Sequence, residues 1–190
     1  MDPKNVLEIT TRAEFRQWLR THHDQATECW LVAKKGKQPP TGCVWYLDAV
    51  EEALCFGWID TMHKTIVGRN LQKFTPRARR SPWSELNKER CRRLERLGQM
   101  TPAGRAVLPE MDPAKFAIDD DIQRAFDQAP VAWTNFQRFP ALYQRVRIDA
   151  IQRDKRKDRA VFDRRLKRLI DQSAADKMFG EWNDYGRLGE

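Results

Sequence analysis

Apolar residues recur at helical spacing from the start of the chain. Phe15, Trp18 and Leu19 stand at i, i+3 and i+4, behind Thr11 and Glu14 in capping-box spacing. A first helix is predicted there, capped by Thr10 or Thr11, with His22 and His23 at its exposed end. The continuous apolar run Cys29-Trp30-Leu31-Val32-Ala33 reads as a buried strand, stopped by Lys34-Lys35-Gly36-Lys37. A Gln38-Pro39-Pro40-Thr41-Gly42 loop follows. Asp48 opens a second helix through Phe56, and Gly57 suits its C-terminal cap because glycine accepts the left-handed conformation. Residues 58–66 and 69–74 then flank a turn at Gly68 as a hairpin.

From Ser81 the period becomes helical. Serine followed by proline is a helix-start signal, so a helix is predicted to run to Leu97 and stop at Gly98. Its inward stripe reads Trp83, Asn87, Cys91 and Leu94. Thr101-Pro102 repeats the signal for a shorter helix. Asp119-Asp120-Asp121 heads another, with acids suited to its positive end. Pro130, Pro140 and Asp158 begin three more, the last with Phe162, Leu166, Leu169 and Ile170 on one stripe. The tail, residues 177–188, carries Phe179, Trp182 and Tyr185, and aromatics at that density are expected to pack back on the body, near the first lobe. The pattern predicts an α+β fold: a small antiparallel sheet with packed helices in residues 1–100, and a helical lobe with its aromatic tail in residues 101–190, forming one compact unit.

Composition adds limits. At 190 residues, 41% hydrophobic and 33% charged, with seven Trp and nine Phe, the chain can bury a core without staples. It contains no run of 18 apolar residues, so no helix is expected to span a membrane. The first eight residues lack a basic flank followed by an apolar segment, so the expected compartment is the cytoplasm, where thiols stay reduced. Cys29, Cys43, Cys55 and Cys91 show no C-x-x-C spacing and the three histidines no H-x-x-x-H spacing, so no metal and no cofactor is expected. Cys55 and Cys91 read as small core residues. The net charge of +8 is concentrated: 12 basic residues stand against 3 acidic ones between Lys64 and Arg105, and 11 against 5 between Arg145 and Asp171. Such stretches attract phosphates, although acids at helical spacing within them favour a solvated helix surface.

The candidate chemistry lies between Ala53 and Asn87. Trp58, Phe74 and Trp83 offer aromatic walls, Arg77 a forked donor for a carboxylate or phosphate, and Asp60 an acceptor that orients Arg77. Asn87 is an amide on an apolar face and needs partners, whether a ligand or a nearby backbone segment. The same residues also suit a purely structural Asp60–Arg77 ion pair. Asp60 and His63, three apart on a strand, are expected on opposite faces and so make no acid–base pair. No nucleotide-binding or hydrolase signature occurs, so catalysis is not indicated. Three functions are in view: binding of a small anionic ligand, nucleic-acid binding by the basic helices, and protein interaction through the tail, which could also join a second copy of the chain.

Several of these strings occur together in a known family. Ala53-Leu54-Cys55-Phe56-Gly57-Trp58-Ile59-Asp60, Pro76-Arg77, Ser81-Pro82-Trp83-Ser84 with Asn87, and Gly98-Gln99-Met100 before Ala103-Gly104 resemble the YdeI/OmpD-associated, or bacteriocin-protection, family. The resemblance extends to the Trp182-Asn183-Asp184-Tyr185-Gly186-Arg187-Leu188 tail and points to a longer-tailed subgroup. It implies a small, soluble bacterial α+β protein with a stress-protective role, and no reaction, cofactor or catalytic residue. The threonine-arginine pair common near the end of the last helix is absent; Arg164-Arg165-Leu166 stands there, so no role for that threonine carries over.

Overall fold

The computed structural model describes residues 3–189; Met1 and Asp2, part of the N-terminal stretch read above, lie outside the described residues. The chain divides into two units. The first takes the residues up to Pro82 and then Arg90–Pro109, and the second takes Trp83–Glu89 and the residues from Glu110 on.

The first unit is built on a four-stranded sheet ordered β1 (Val6–Leu7), β2 (Cys29–Leu31), β6 (Arg69–Pro76), β5 (Trp58–Ile66). The sheet is mixed: β2–β6 and β6–β5 are antiparallel as expected, whereas β1 pairs parallel to β2. The apolar run expected as one strand divides after Leu31. Ala33–Lys34 (β3) instead pairs parallel with Val44–Trp45 (β4) as a separate two-stranded sheet. The hairpin turn puts Val67 (φ 47°) and Gly68 (φ 73°) both in the left-handed region, the conformation that matches the twist of a tight β-hairpin.

Helix α1 (Arg12–His22) carries the predicted capping box, with Thr11 accepting from the Glu14 N–H and Glu14 reaching back. Its buried Phe15 meets Phe74 at 5.3 Å, and Trp18 meets Trp58 edge-on at 5.8 Å. Helix α2 (Tyr46–Cys55) begins two residues before Asp48, because β4 passes directly into it; Asp48 lies in its first turn instead. Gly57 ends it at φ 75°, as predicted. The first unit also takes the second half of α3 (Glu85–Arg96), where Cys91 and Leu94 are buried, and the short α4 (Pro102–Arg105), capped by Thr101. The expected Ser81 start of α3 is displaced to Ser84, whose hydroxyl accepts from the Asn87 N–H.

The second unit is helical: α5 (Asp120–Asp127), α6 (Pro130–Arg138), α7 (Ala141–Gln152) and α8 (Arg159–Ala174), with Asp119 and Asp158 as caps. Ile122, Phe126, Phe136, Tyr143, Phe162 and Leu169 fill its core. The tail packs here, with Phe179 and Trp182 against that core and Leu188 buried on Leu142 and Val146. The α7 and α8 stripes supply the apolar surface that its aromatics need.

Candidate ligand-binding site

Trp58 and Phe74, expected as the aromatic walls of a pocket, lie in the core, 1% and 0% exposed. The Trp58 indole N–H donates to the His23 carbonyl at 3.1 Å, which satisfies its polar edge away from solvent. Arg77 is also buried. Its Nη1 donates to Ser81 Oγ and to the Pro82 carbonyl, both at 3.0 Å, so it ties down the chain after β6. Burial lowers the Arg77 pKa from its ordinary value, and the Asp60 charge acts in the opposite direction. Trp83 and Asn87 belong to the second unit and are half-buried there. Trp58, Asp60 and Phe74 thus stand on the β5–β6 hairpin and Arg77 directly after it, with Trp58 and Phe74 as packing residues.

Asp60, whose charge acts on Arg77, also accepts a hydrogen bond from Tyr46. The Tyr46 hydroxyl donates to Asp60 Oδ2 at 2.6 Å, and the Lys35 ammonium stands 4.6 Å from the centre of the Tyr46 ring. Lys35, Tyr46 and Asp60 form a connected chain from the surface to the hairpin.

The expectation that Asp60 and His63 occupy opposite faces fails for a specific reason. Asp60 pairs with Phe74 and Met62 with Lys73, so the register skips Thr61 and leaves a β-bulge. Directly paired residues share a face, and the extra residue restores the alternation: His63, opposite Gln72, returns to the face of Asp60 and Phe74. Gln72, 4% exposed, clamps the irregularity by donating from Nε2 to the Met62 carbonyl at 2.9 Å.

On the same unit, Val32, Ala33, Lys34, Lys35, Cys43, His63 and Asn70 line a cavity of about 490 Å³. Its walls combine two ammonium groups, an imidazole, an amide and a thiol with two small apolar side chains. Sequence reasoning noticed His63 but missed Lys34, Lys35, Cys43 and Asn70, because β3, β4 and the hairpin meet only in three dimensions. Cys43 is the half-exposed cysteine; Cys29, Cys55 and Cys91 are buried. Burial raises the pKa of all three buried thiols, to about 11 for Cys55 and about 12 for Cys91.

A second constellation in this unit was also missed. Glu51 and Glu52 are 0% and 1% exposed and meet arginines: Arg12 binds Glu51 (2.8 Å), Glu52 (2.6 Å) and Asp48 (3.1 Å), Arg16 binds Glu52 (2.7 Å), and Arg93 binds Glu51 (2.8 Å). The signal was present: two acids inside Ala49-Val50-Glu51-Glu52-Ala53-Leu54 sit in a helix that is apolar on every side, and buried charges require partners. The arginines here join α1, α2 and α3, which is a structural task. Elsewhere, basic residues of the second stretch also have acidic partners, among them Arg165 with Asp154, Lys167 with Asp171 (2.6 Å) and Lys155 with Asp119 (2.7 Å). Such pairing reduces the net field available to a polyanion.

No helix among the described residues is long and apolar enough to cross a membrane. Comparison with curated proteins finds no match, and comparison with solved structures finds none. Two family models do match. Residues 115–176 match the model described as "Bacteriocin-protection, YdeI or OmpD-Associated". Residues 7–107 match the model described as "Domain of unknown function (DUF8412)". The strings from Ala53 to Gly104 that resemble the first family therefore fall within the second model, and the tail from Lys177 lies beyond both. Through residues 7–107, more than half of its length, the chain belongs to the DUF8412 domain family.

Proposed function

We propose that the protein binds a small organic anion in the cavity between β3 and the β5–β6 hairpin. Lys34 and Lys35 supply positive charge, His63 and Asn70 supply hydrogen-bonding groups, and Val32 and Ala33 take an apolar portion. The volume suits a metabolite-sized ligand, and a few polar groups set in a partly apolar wall are what such sites require. The observation that carries the reading is the bulge at Thr61, which turns His63 to the face where Asp60 holds Tyr46 and Tyr46 faces the Lys35 ammonium. Asp60 then acts by positioning. Its hydrogen bond fixes the phenol, and the ring offers its negative face to the cation. The reading is one of binding, in a reducing compartment such as the cytoplasm, where four free cysteines are stable. Retaining or sensing such an anion would serve the protective role that the family description names.

Cys43 supplies a local probe, since the other thiols are buried. Its alkylation rate is to be followed by mass spectrometry with benzoate, citrate and phenyl phosphate. At least one should slow labelling about tenfold when present at about ten times its Kd. Lys35→Gln should remove that protection while circular dichroism is unchanged. Labelling indifferent to every anion, or protection retained in Lys35→Gln, would refute the reading.

A further inference from the structure

A second cavity lies wholly within the second unit. Arg147, Arg165, Arg168, Phe179 and Gly180 line it, with Ala150 and Ile151 as an apolar floor, and its volume is about 320 Å³. Three guanidinium-bearing residues around one small cavity concentrate positive charge, and the local acids only partly offset it. Arg165 pairs with Asp154. Arg147 donates to the Glu181 backbone carbonyl, and its guanidinium stands 5.2 Å from the Phe179 ring centre and 5.4 Å from that of Tyr143. Arg168 stands 4.5 Å from the Phe179 ring centre. Among the described residues no carboxylate pairs with Arg147 or Arg168, and the Arg147 Nε is buried without a hydrogen-bond partner.

That arrangement is costly without an anion. Burial lowers the Arg147 pKa; Tyr143 and Glu181 oppose it in part, and the Arg168 charge adds a smaller lowering effect. The site is nevertheless firmly built. The Tyr143 hydroxyl accepts from the Phe179 N–H at 3.3 Å, holding the tail over α7. Gly180 (φ 67°) passes so close that a Cβ there would lie 3.0 Å from Arg147 Nη1. A side chain at that position would push the guanidinium away.

We infer that this cavity binds the phosphate group of a small phosphomonoester, Arg147 and Arg168 supplying forked donors and Arg165 the rim charge. Guanidinium forks match phosphate oxygens bidentately, and a dianion compensates two unneutralised cations where a carboxylate compensates one. The apolar floor of Ala150 and Ile151 accommodates a short carbon body and leaves little room for a polymer. The tail residues Phe179 and Gly180, beyond both family matches, complete the site.

Calorimetric titration with glycerol phosphate, inorganic phosphate, acetate and a single-stranded oligonucleotide, at low ionic strength, tests this. Glycerol phosphate should bind the wild-type protein and outcompete acetate. Arg168→Gln, on the exposed side of α8, should weaken it at least about tenfold, which corresponds to about 1.4 kcal/mol. Arg147→Gln should do the same, but it also removes packing on Tyr143 and Phe179, so Arg168→Gln is the deciding variant. Lys35→Gln should leave this affinity unchanged, which separates the site from the cavity of the first unit. No heat with either phosphate, equal affinity in Arg168→Gln, or preference for the oligonucleotide would overturn the inference.

Discussion

Arg12→Ala should lower the stability of the first unit by about 3 kcal/mol, toward the lower end of the range for breaking a buried ion pair from one side. Arg12 reaches Asp48, Glu51 and Glu52 with one guanidinium, and its Nη2 donates to Gln99 Oε1 at 3.0 Å. Glu51 and Glu52 stand side by side inside the α1–α2 interface. Without Arg12, Glu51 keeps Arg93 and Glu52 keeps Arg16 against their mutual repulsion and desolvation. Those retained partners are why the upper end of the range is not expected. The effect should appear in urea unfolding as a lower midpoint at an unchanged slope. The contrasting variant is Arg69→Ala: its partner Glu8 is 71% exposed, and screening by water makes such pairs nearly neutral, so its midpoint should hardly move. Equal midpoints for both variants would remove the buried network from the account of stability.

Gly104→Ala should be nearly as damaging, and its direction is decided by geometry against propensity. Alanine in place of glycine in a helix ordinarily gains about 1 kcal/mol. Here an added Cβ would lie 2.3 Å from the Cys55 carbonyl oxygen and 2.8 Å from that of Leu54, both backbone atoms that cannot rotate away. The same Cys55 carbonyl accepts from Thr101 Oγ1 at 2.6 Å and from the Thr101 N–H at 3.2 Å. Making room therefore moves α4 off the end of α2 and loosens the bonds that dock it. Overpacking of this kind costs about 3 kcal/mol, so the clash outweighs the propensity gain. A thermal melt in which Gly104→Ala is as stable as wild type would show that α4 docks less closely than described.

These two sites show what the chain discloses and what it conceals. Local signals translate well: Thr11, Thr101, Asp119 and Asp158 cap helices, and Gly57 and Gly98 close them, because a cap depends on residues within a turn of one another. The Ser81-Pro82 signal misleads for the same reason. Ser84, three residues on, offers an equivalent hydroxyl, and Arg77 engages the Ser81 side chain and the Pro82 carbonyl instead. Trp58 and Phe74 were legible as central residues, but a sequence does not say whether an aromatic ring faces a cavity or another ring; Phe15 and Trp18 decide it.

The candidate site was only half legible. Asp60 and His63 drew attention, yet strict alternation separates them, and nothing between them marks a bulge: Thr61 and Met62 are ordinary strand residues. The extra residue is stabilised by Gln72 on the neighbouring strand, a pairing set by register rather than by local sequence. Lys34, Lys35 and Cys43 lie on a separate small sheet and reach the cavity only through tertiary packing.

The most direct test is insertion of one alanine between Lys73 and Phe74, which gives Thr61 a partner on the neighbouring strand, removes the bulge and puts His63 on the face opposite Asp60. The measurement is Cys43 alkylation with and without the anion that protects the wild-type protein, with circular dichroism to establish that the sheet is retained. The proposed site predicts that the folded insertion variant loses the protection. A folded variant that still shields Cys43 as the wild type does would contradict it.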